Sequence, residues 1–204
     1  MTLMTEVVID TNVIVVADNG HSECGVDCLS ACIDRLEKVK KFETVVVDED
    51  HQIIKEYLGR VCTSGKAKTL GGEFLKWLMQ NLSNADHCLK IKPHQTGHGL
   101  FSETPTGFHG FDKDDLKFLA VANTVSPKPP ILQAVDTKWG TWSKEFDAAG
   151  ILIENLCPSY VALVAARRRK RALLILRNLT IRSFCYLDNY NIHPLPPARS
   201  LWHI

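Results

Sequence analysis

Four acidic side chains lie at positions from which a folded chain could bring them together. Asp10 and Asp136 each occur at or next to the end of a run of β-branched and apolar residues. Glu56 lies in the body of a predicted helix, and Asp115 lies in the first turn of another. Carboxylates at close range raise one another's pKa, so such a cluster is costly unless a cation neutralises it. The four residues therefore predict a metal site.

Oxygen ligands of this kind select Mg²⁺ or Mn²⁺. One or two such ions can activate a water and stabilise the attacking and leaving oxygens of phosphodiester hydrolysis. Thr11, Asn12 and Thr137 follow two of the acids directly and could orient them. Each acid alone has a simpler explanation, because Asp also caps helices or favours their positive ends, and a lone Glu is usually solvated.

The elements that must position these acids alternate between strands and helices. Strands are predicted at residues 6–16 (running into a turn at 10–12), 44–47, 131–135 and 151–154. Helices are predicted at residues 24–40, 48–60, 72–82, 112–124 and 141–149, and residues 89–110 are predicted to be a surface loop. This order, without hairpin signals, predicts an α/β fold: a three-layer α/β/α sandwich with a central parallel sheet. Ligands bind beyond the carboxyl ends of the strands in such sheets, where Asp10 and Asp136 would lie.

The chain changes in charge near residue 157, which predicts a domain at residues 1–158 and an extension at 159–204. The last 48 residues contain eight basic residues and a single acidic one, Asp188, although the whole chain has a net charge of only +1. Residues 165–179 could form a basic amphipathic helix that binds RNA or an acidic partner. The alternative is an appendage unrelated to the first domain.

Composition excludes some classes of protein. No run of about 18 uncharged apolar residues occurs, so neither a transmembrane helix nor a membrane partner is expected. The amino-terminal segment lacks the basic region of a signal peptide. Seven cysteines without a Cys-x-x-Cys pair do not predict a disulfide framework, and a cytoplasmic location is expected. Cys24, Cys28 and Cys32 recur every four residues, which predicts a buried helical stripe, with a redox or metal role as the alternative.

Four blocks of sequence resemble the PIN domain family, in order across residues 5–158. They are VVIDTNV at 7–13, IIKEY at 53–57, DLKFLAVA at 115–122 and QAVDTKW at 133–139. The resemblance implies a PIN-like fold and a Mg²⁺- or Mn²⁺-dependent endoribonuclease that cleaves single-stranded RNA. It assigns catalysis and metal binding to Asp10, Glu56, Asp115 and Asp136. It also implies a possible toxin role with an antitoxin protein as partner, and a possible homodimer.

Two departures from the family bear on these expectations. Many relatives carry an aspartate two residues after the fourth acid, where this chain has Lys138, and the change could weaken a second metal site. The segment from about residue 59 to 110 is longer than in compact toxins, which counts against the toxin role more than against the fold. Lys138 favours the alternative function, a catalytically weak PIN-like module that binds RNA or a protein. A phospho-accepting domain that uses Asp10 is a third, and it leaves Glu56 and Asp115 unexplained.

Weaker candidates concern the substrate and a second metal. Lys66, Lys68 and Lys138 could contact RNA phosphates, and Trp139 could stack on a base, although surface lysines and core packing are the simpler explanations. Three histidines of the glycine-rich segment could bind zinc or be solvated loop residues; they are His94, His98 and His109.

Overall fold

The computed structural model describes residues 5–61 and 69–171. The chain divides into two units, Met1–Val164 and Ala165–Ile204, and every element labelled below belongs to the first. Lys66, Lys68 and most of the predicted basic helix at 165–179 lie outside the described residues, although residues 158–171 are helical. No described helix is long and apolar enough to span a membrane.

Strands and helices alternate along most of the first unit. In chain order the elements are β1 (Thr5–Ile9), α1 (Thr11–Ala17), a 3₁₀ turn (Ser22–Cys24), α2 (Gly25–Phe42), β2 (Glu43–Asp48), α3 (Gln52–Val61), α4 (Leu70–Asn81), β3 (Cys88–Ile91), β4 (Gln95–Gly97), β5 (Leu100–Phe101), α5 (Leu116–Thr124), β6 (Ile131–Gln133), α6 (Lys138–Thr141), α7 (Ser143–Ala149) and β7 (Ile153–Asn155).

Five parallel strands form the central sheet in the order β3-β2-β1-β6-β7, and helices flank it. Val7 pairs with Val45 of β2, and Val8 pairs with Ile131 of β6. These β-branched residues are fully buried, as expected of a parallel sheet covered on both faces. The predicted α/β fold with a central parallel sheet is confirmed, and the arrangement is consistent with a three-layer sandwich.

The predicted strand at residues 6–16 is wrong in its second half. The strand ends at Ile9, and Thr11–Ala17 is a helix whose first turn is capped by the Asp10 side chain, which accepts from the Asn12 backbone. Nearly all of α1 is buried, so its sequence is apolar on every side and lacks the 3.6-residue period of a surface helix. Burial on all faces thus made the helix resemble a strand.

Smaller differences concern the segments that lead to the site. The predicted helix at 112–124 begins at Leu116, because residues before it form turns in which the Asp112 carboxylate accepts from the Asp114 backbone. The predicted loop at 89–110 contains most of β3 and an antiparallel hairpin of β4 and β5. The predicted helix at 141–149 corresponds to two short helices, α6 and α7.

A disulfide joins Cys28 of α2 to Cys157, which comes after β7. The sequence did not predict this bond, because its partners lie 129 residues apart and belong to no recognisable spacing. The predicted buried stripe is confirmed for Cys28 and Cys32, whereas Cys24 is partly exposed. Burial raises the pKa of the Cys32 thiol to about 12.

Helices α1 and α4 approach each other closely at Gly71. A Cβ atom at this position would lie 2.5 Å from the Ile14 carbonyl oxygen and 2.8 Å from the Asp18 nitrogen. Both neighbours belong to the backbone and cannot rotate away as a flexible side chain could. Glycine is therefore required at residue 71 for α4 to contact the end of α1.

We expect Gly71→Ala to lower the free energy of unfolding by about 1–3 kcal/mol, because the added methyl group must push the two helices apart. Urea unfolding followed by circular dichroism would measure the change. Gly59→Ala in α3 is the matched control: its Cβ would meet no atom within 4 Å. That control should gain up to about 1 kcal/mol from helix propensity. Equal effects of the two substitutions would contradict the close approach.

Candidate metal centre

The four predicted acids meet in a cleft beside the carboxyl ends of β1 and β6. From β1 the chain adds strands outward through β2 to β3, and it returns to the other side of β1 at β6. This reversal of strand order is where open α/β sheets bind their ligands. The cleft has a volume of about 590 Å³. Its described lining contains Asp10, Glu56, Asp115 and Asp136 together with two further acids, Asp112 and Asp114.

Asp10 is buried at the end of β1, and Asn12 holds it in place. The Asn12 amide nitrogen donates to Asp10 Oδ2 at 2.5 Å, and the Asn12 backbone nitrogen donates to Asp10 Oδ1 at 3.2 Å. Asn12 Oδ1 also accepts from the Ala134 backbone nitrogen at 2.7 Å, which ties the start of α1 to the chain leaving β6. Burial, followed by the nearby charge of Asp115, raises the pKa of Asp10 well above its ordinary value.

Asp115 occupies the position just before α5 and carries an oxygen without a hydrogen-bond partner. Its Oδ2 atom is buried, and the nearest cation, Lys138 Nζ, is 3.6 Å away. Burial raises the pKa of Asp115 from 3.8 to about 6, and the charges of Asp112 and Asp136 add to the rise. Lys138 and Lys117 oppose it only in part. A buried carboxylate oxygen without a hydrogen-bond partner could bind a cation.

Glu56 is paired with a buried lysine, and both of its oxygens have partners. Thr11 Oγ1 donates to Glu56 Oε1 at 2.5 Å, and Lys117 Nζ lies 2.6 Å from Oε2. The neighbouring Tyr57 hydroxyl donates to the Ile9 carbonyl oxygen and so fixes α3 against the end of β1. Thr11 was predicted to orient an acid of the site, and its hydroxyl does contact one; the partner is Glu56 rather than Asp10.

Lys138 places an ammonium group among three carboxylates. Its Nζ atom forms an ion pair with Asp112 and lies 3.4 Å from Asp136 Oδ2 and 3.6 Å from Asp115 Oδ2. Its backbone nitrogen also donates to Asp136 Oδ1 at 2.8 Å. The hydrogen bond from Lys138 lowers the pKa of Asp112. The side chain therefore supplies positive charge in the middle of the acidic cluster.

By ligand type, the carboxylates of the cleft would suit one hard divalent cation better than two. Asp10, Asp115 and Asp136 could hold it, since they offer carboxylate oxygens, one of them without a hydrogen-bond partner. Lys138 already neutralises part of the charge that a second ion would need. Among the described residues, no three carboxylates of the cleft bring their oxygens within 4.8 Å of one another. Binding would thus draw the acids closer together.

Several residues of the cleft are not identified as site residues by the sequence, among them Asp112, Asp114 and Lys117. The signal for Asp112 was its place in an acidic stretch just before a helix, which is also typical of a favourable helix start. No signal identified Lys117, because a lysine that is buried and paired with Glu56 has the same sequence pattern as an exposed one.

The position of Trp139 corrects the expectation that it contacts the substrate. Its indole is 1 % exposed and packs between Phe146 and Phe111, so the predicted stacking on a base is wrong. Thr137 is buried where α6 begins, and its role as an orienting residue stays a prediction.

A zinc site of three histidines, one of the two possibilities raised by the sequence, has no support in the described residues. His94 is exposed and pairs with Glu103 through its Nδ1 atom at 2.9 Å. His94, His98 and His109 do not form a group close enough to share a metal ion in the part of the chain that the structure describes. Solvated loop histidines, the simpler explanation, fit this arrangement because all three are exposed.

Comparisons of this chain with known protein families, with curated proteins and with solved structures find no match.

We expect Asp115→Asn to stabilise the metal-free protein at neutral and alkaline pH. The pKa of Asp115 is raised in the folded state, so ionisation opposes folding above pH 6, and this cost disappears as the pH falls through 6 towards 4. Urea unfolding with a chelator present should show a gain on the order of 2 kcal/mol at pH 8 and little change near pH 4. Asp147→Asn, at an exposed position of α7, is the control. A loss of stability at pH 8 would contradict the assignment.

Proposed function

We propose that this chain is a PIN-type endoribonuclease that hydrolyses phosphodiester bonds of single-stranded RNA with a Mg²⁺ or Mn²⁺ ion. The observation that carries the proposal is the convergence of four acids, from Asp10 to Asp136, in one cleft at the reversal of strand order. These are the acids that the family resemblance assigns to metal binding. The unpartnered oxygen of Asp115 and the raised pKa of Asp10 support a cation there.

Asp10, Asp115 and Asp136 would hold the ion, which supplies charge neutralisation and a more acidic water for hydrolysis. Asn12 fixes Asp10 through two hydrogen bonds and so keeps one ligand pointed at the cleft. Glu56, held by Thr11 and Lys117, adds negative charge at the edge of the same space. The Lys138 side chain is 47 % exposed, so its ammonium could also meet a phosphate of the substrate and offset repulsion from the acids.

A second pocket next to the cleft favours an extended substrate rather than a small one. It has a volume of about 520 Å³ and shares Glu56, Asp114 and Lys117 with the cleft. Its other polar lining includes Gln52, Gln95, His98 and Lys113. Amide, imidazole and ammonium groups can donate to phosphates and bases of a single strand that continues past the metal centre.

The catalytically weak module is a second candidate, favoured by one observation. Lys138 is bound among Asp112, Asp115 and Asp136, and a lysine in this position can neutralise the cluster without any metal ion. In that case the acids would be structural, and the cleft would bind RNA or a protein without cleaving it. A toxin role, an antitoxin partner, a homodimer and a cytoplasmic location stay predictions from the sequence and the resemblance.

Cleavage of a fluorescent single-stranded RNA in Mn²⁺ separates the two candidates. Asp10→Asn should reduce the rate roughly 100-fold or more, because a ligand charge is lost where charge develops in the reaction. Asparagine is also a good helix cap, so α1 should remain folded, which circular dichroism would verify. Asp147→Asn outside the cleft should retain full activity. RNA binding without cleavage in either metal, and no rise of Tm with Mn²⁺, would favour the binding module.

Replacement of Lys138 tests how many cations the cleft accepts. We expect Lys138→Met to tighten Mn²⁺ binding by roughly tenfold, because an ammonium group that competes for Asp115 and Asp136 is removed. Calorimetric titration of the metal-free protein would give the affinity and the stoichiometry. Lys144→Met, on the exposed side of α7, should leave both unchanged. Weaker binding in Lys138→Met would mean that the lysine supports the metal site instead of competing with it.

A further inference from the structure

Three buried cysteines converge where helix α2 meets the segment after β7, and none of them lines the acidic cleft. Cys28 and Cys32 are one helical turn apart on α2, and Cys157 comes from far along the chain. All three are 5 % exposed or less. Their sulfur atoms lie within 4.8 Å of one another, and Cys32 Sγ is 4.0 Å from Cys157 Sγ.

We propose that in the reduced protein Cys28, Cys32 and Cys157 form a buried site for one thiophilic metal ion of the Zn²⁺ class. The Cys28–Cys157 disulfide is then the oxidised, metal-free form of the same site. In the described residues this is the one group of three or more His, Cys, Asp or Glu side chains whose ligand atoms lie close enough to share an ion.

The separation of Cys32 and Cys157 fits such an ion, and opening the disulfide frees Cys28 to join them. Zn–S bonds of about 2.3 Å in tetrahedral geometry separate two thiolates by about 3.8 Å, close to the Cys32–Cys157 separation of 4.0 Å. Two ligands spaced i and i+4 on one helix face are a common way to present a pair of side chains to zinc. Cys28 and Cys32 have this spacing, and Cys157 supplies the third sulfur from another segment.

Ligand chemistry selects the class of metal. Three sulfur atoms without a carboxylate or imidazole among them favour soft, thiophilic ions over Mg²⁺ or Mn²⁺. A disulfide that only staples α2 to the end of β7 needs two cysteines, so Cys32 would have no part in it. A metal site uses all three. Cys24 ends the 3₁₀ turn just before α2, is partly exposed and lies outside the group.

The conversion of the disulfide into a metal site requires a reductant, and a dithiol supplies the electrons and protons. Dithiothreitol opens the Cys28–Cys157 bond by exchange and is oxidised to its cyclic disulfide, while two electrons and two protons pass to the two cysteines. The metal ion then forms bonds to three sulfurs and displaces their protons into solvent.

Titration of the full chain with Cd²⁺, a spectroscopic substitute for Zn²⁺, tests the proposal. The dithiol-reduced protein, freed of reductant without air, should develop thiolate-to-cadmium absorption in the ultraviolet that saturates at one equivalent. The oxidised protein should show less than about a tenth of this absorption, because two of the three ligands are bonded to each other. This comparison uses the unmodified chain, so it does not depend on the folding of any variant.

Two variants locate the site. Cys32→Ala should weaken Cd²⁺ binding at least about tenfold while Cys28 and Cys157 can still pair. Cys88→Ala, which removes another buried thiol outside the group, should leave binding unchanged. Asp10→Asn should also retain the absorption, which separates this site from the acidic cleft. Reduced protein without the absorption, or Cys32→Ala that binds as tightly as the parent chain, would overturn the proposal and leave a structural disulfide.

Discussion

The side chain of Asn12 joins the two strands between which the cleft opens. It donates to Asp10 at the end of β1 and accepts from the Ala134 backbone just after β6. Pairing between adjacent parallel strands does not by itself fix the segments that leave their carboxyl ends. The amide does so here, because one group satisfies a buried carboxylate on one side and a buried backbone nitrogen on the other. The distance between Asp10 and the segment that carries Asp136 depends on this link.

Two lysines balance the charge within the cleft, and they differ in burial and in the number of acids near them. Lys117 is buried and forms its ion pair with Glu56. Lys138 is half exposed and is shared among three acids: it pairs closely with Asp112 and lies farther from Asp136 and Asp115. Asp115 therefore keeps a raised pKa and an oxygen without a hydrogen-bond partner. This incomplete compensation is typical of functional sites, where electrostatic strain is retained in place of maximal stability.

Much of this arrangement can be predicted from the sequence, and the exceptions have physical reasons. Asp10 could be placed at the carboxyl end of a strand, because buried parallel strands are continuous apolar runs and Asp10 follows such a run. Helix α1 could not be recognised, since burial on all sides removes the periodicity that identifies a helix. The role of Trp139 could not be predicted, because a tryptophan near a site can either stack on a ligand or pack in the core. Its contacts with the neighbouring aromatic rings show that it packs in the core. The pairing of Lys138 with three acids depends on tertiary contacts that no local pattern encodes.

The bond between Cys28 and Cys157 closes a covalent ring of the polypeptide that contains Glu56, Asp115 and Asp136. Asp10 lies outside the ring and is held to it through hydrogen bonds such as that between Asn12 and Ala134. A protease that cut one peptide bond anywhere inside the ring would leave both fragments attached to each other. The nicked molecule would migrate as a single species in electrophoresis until a thiol reagent released the pieces.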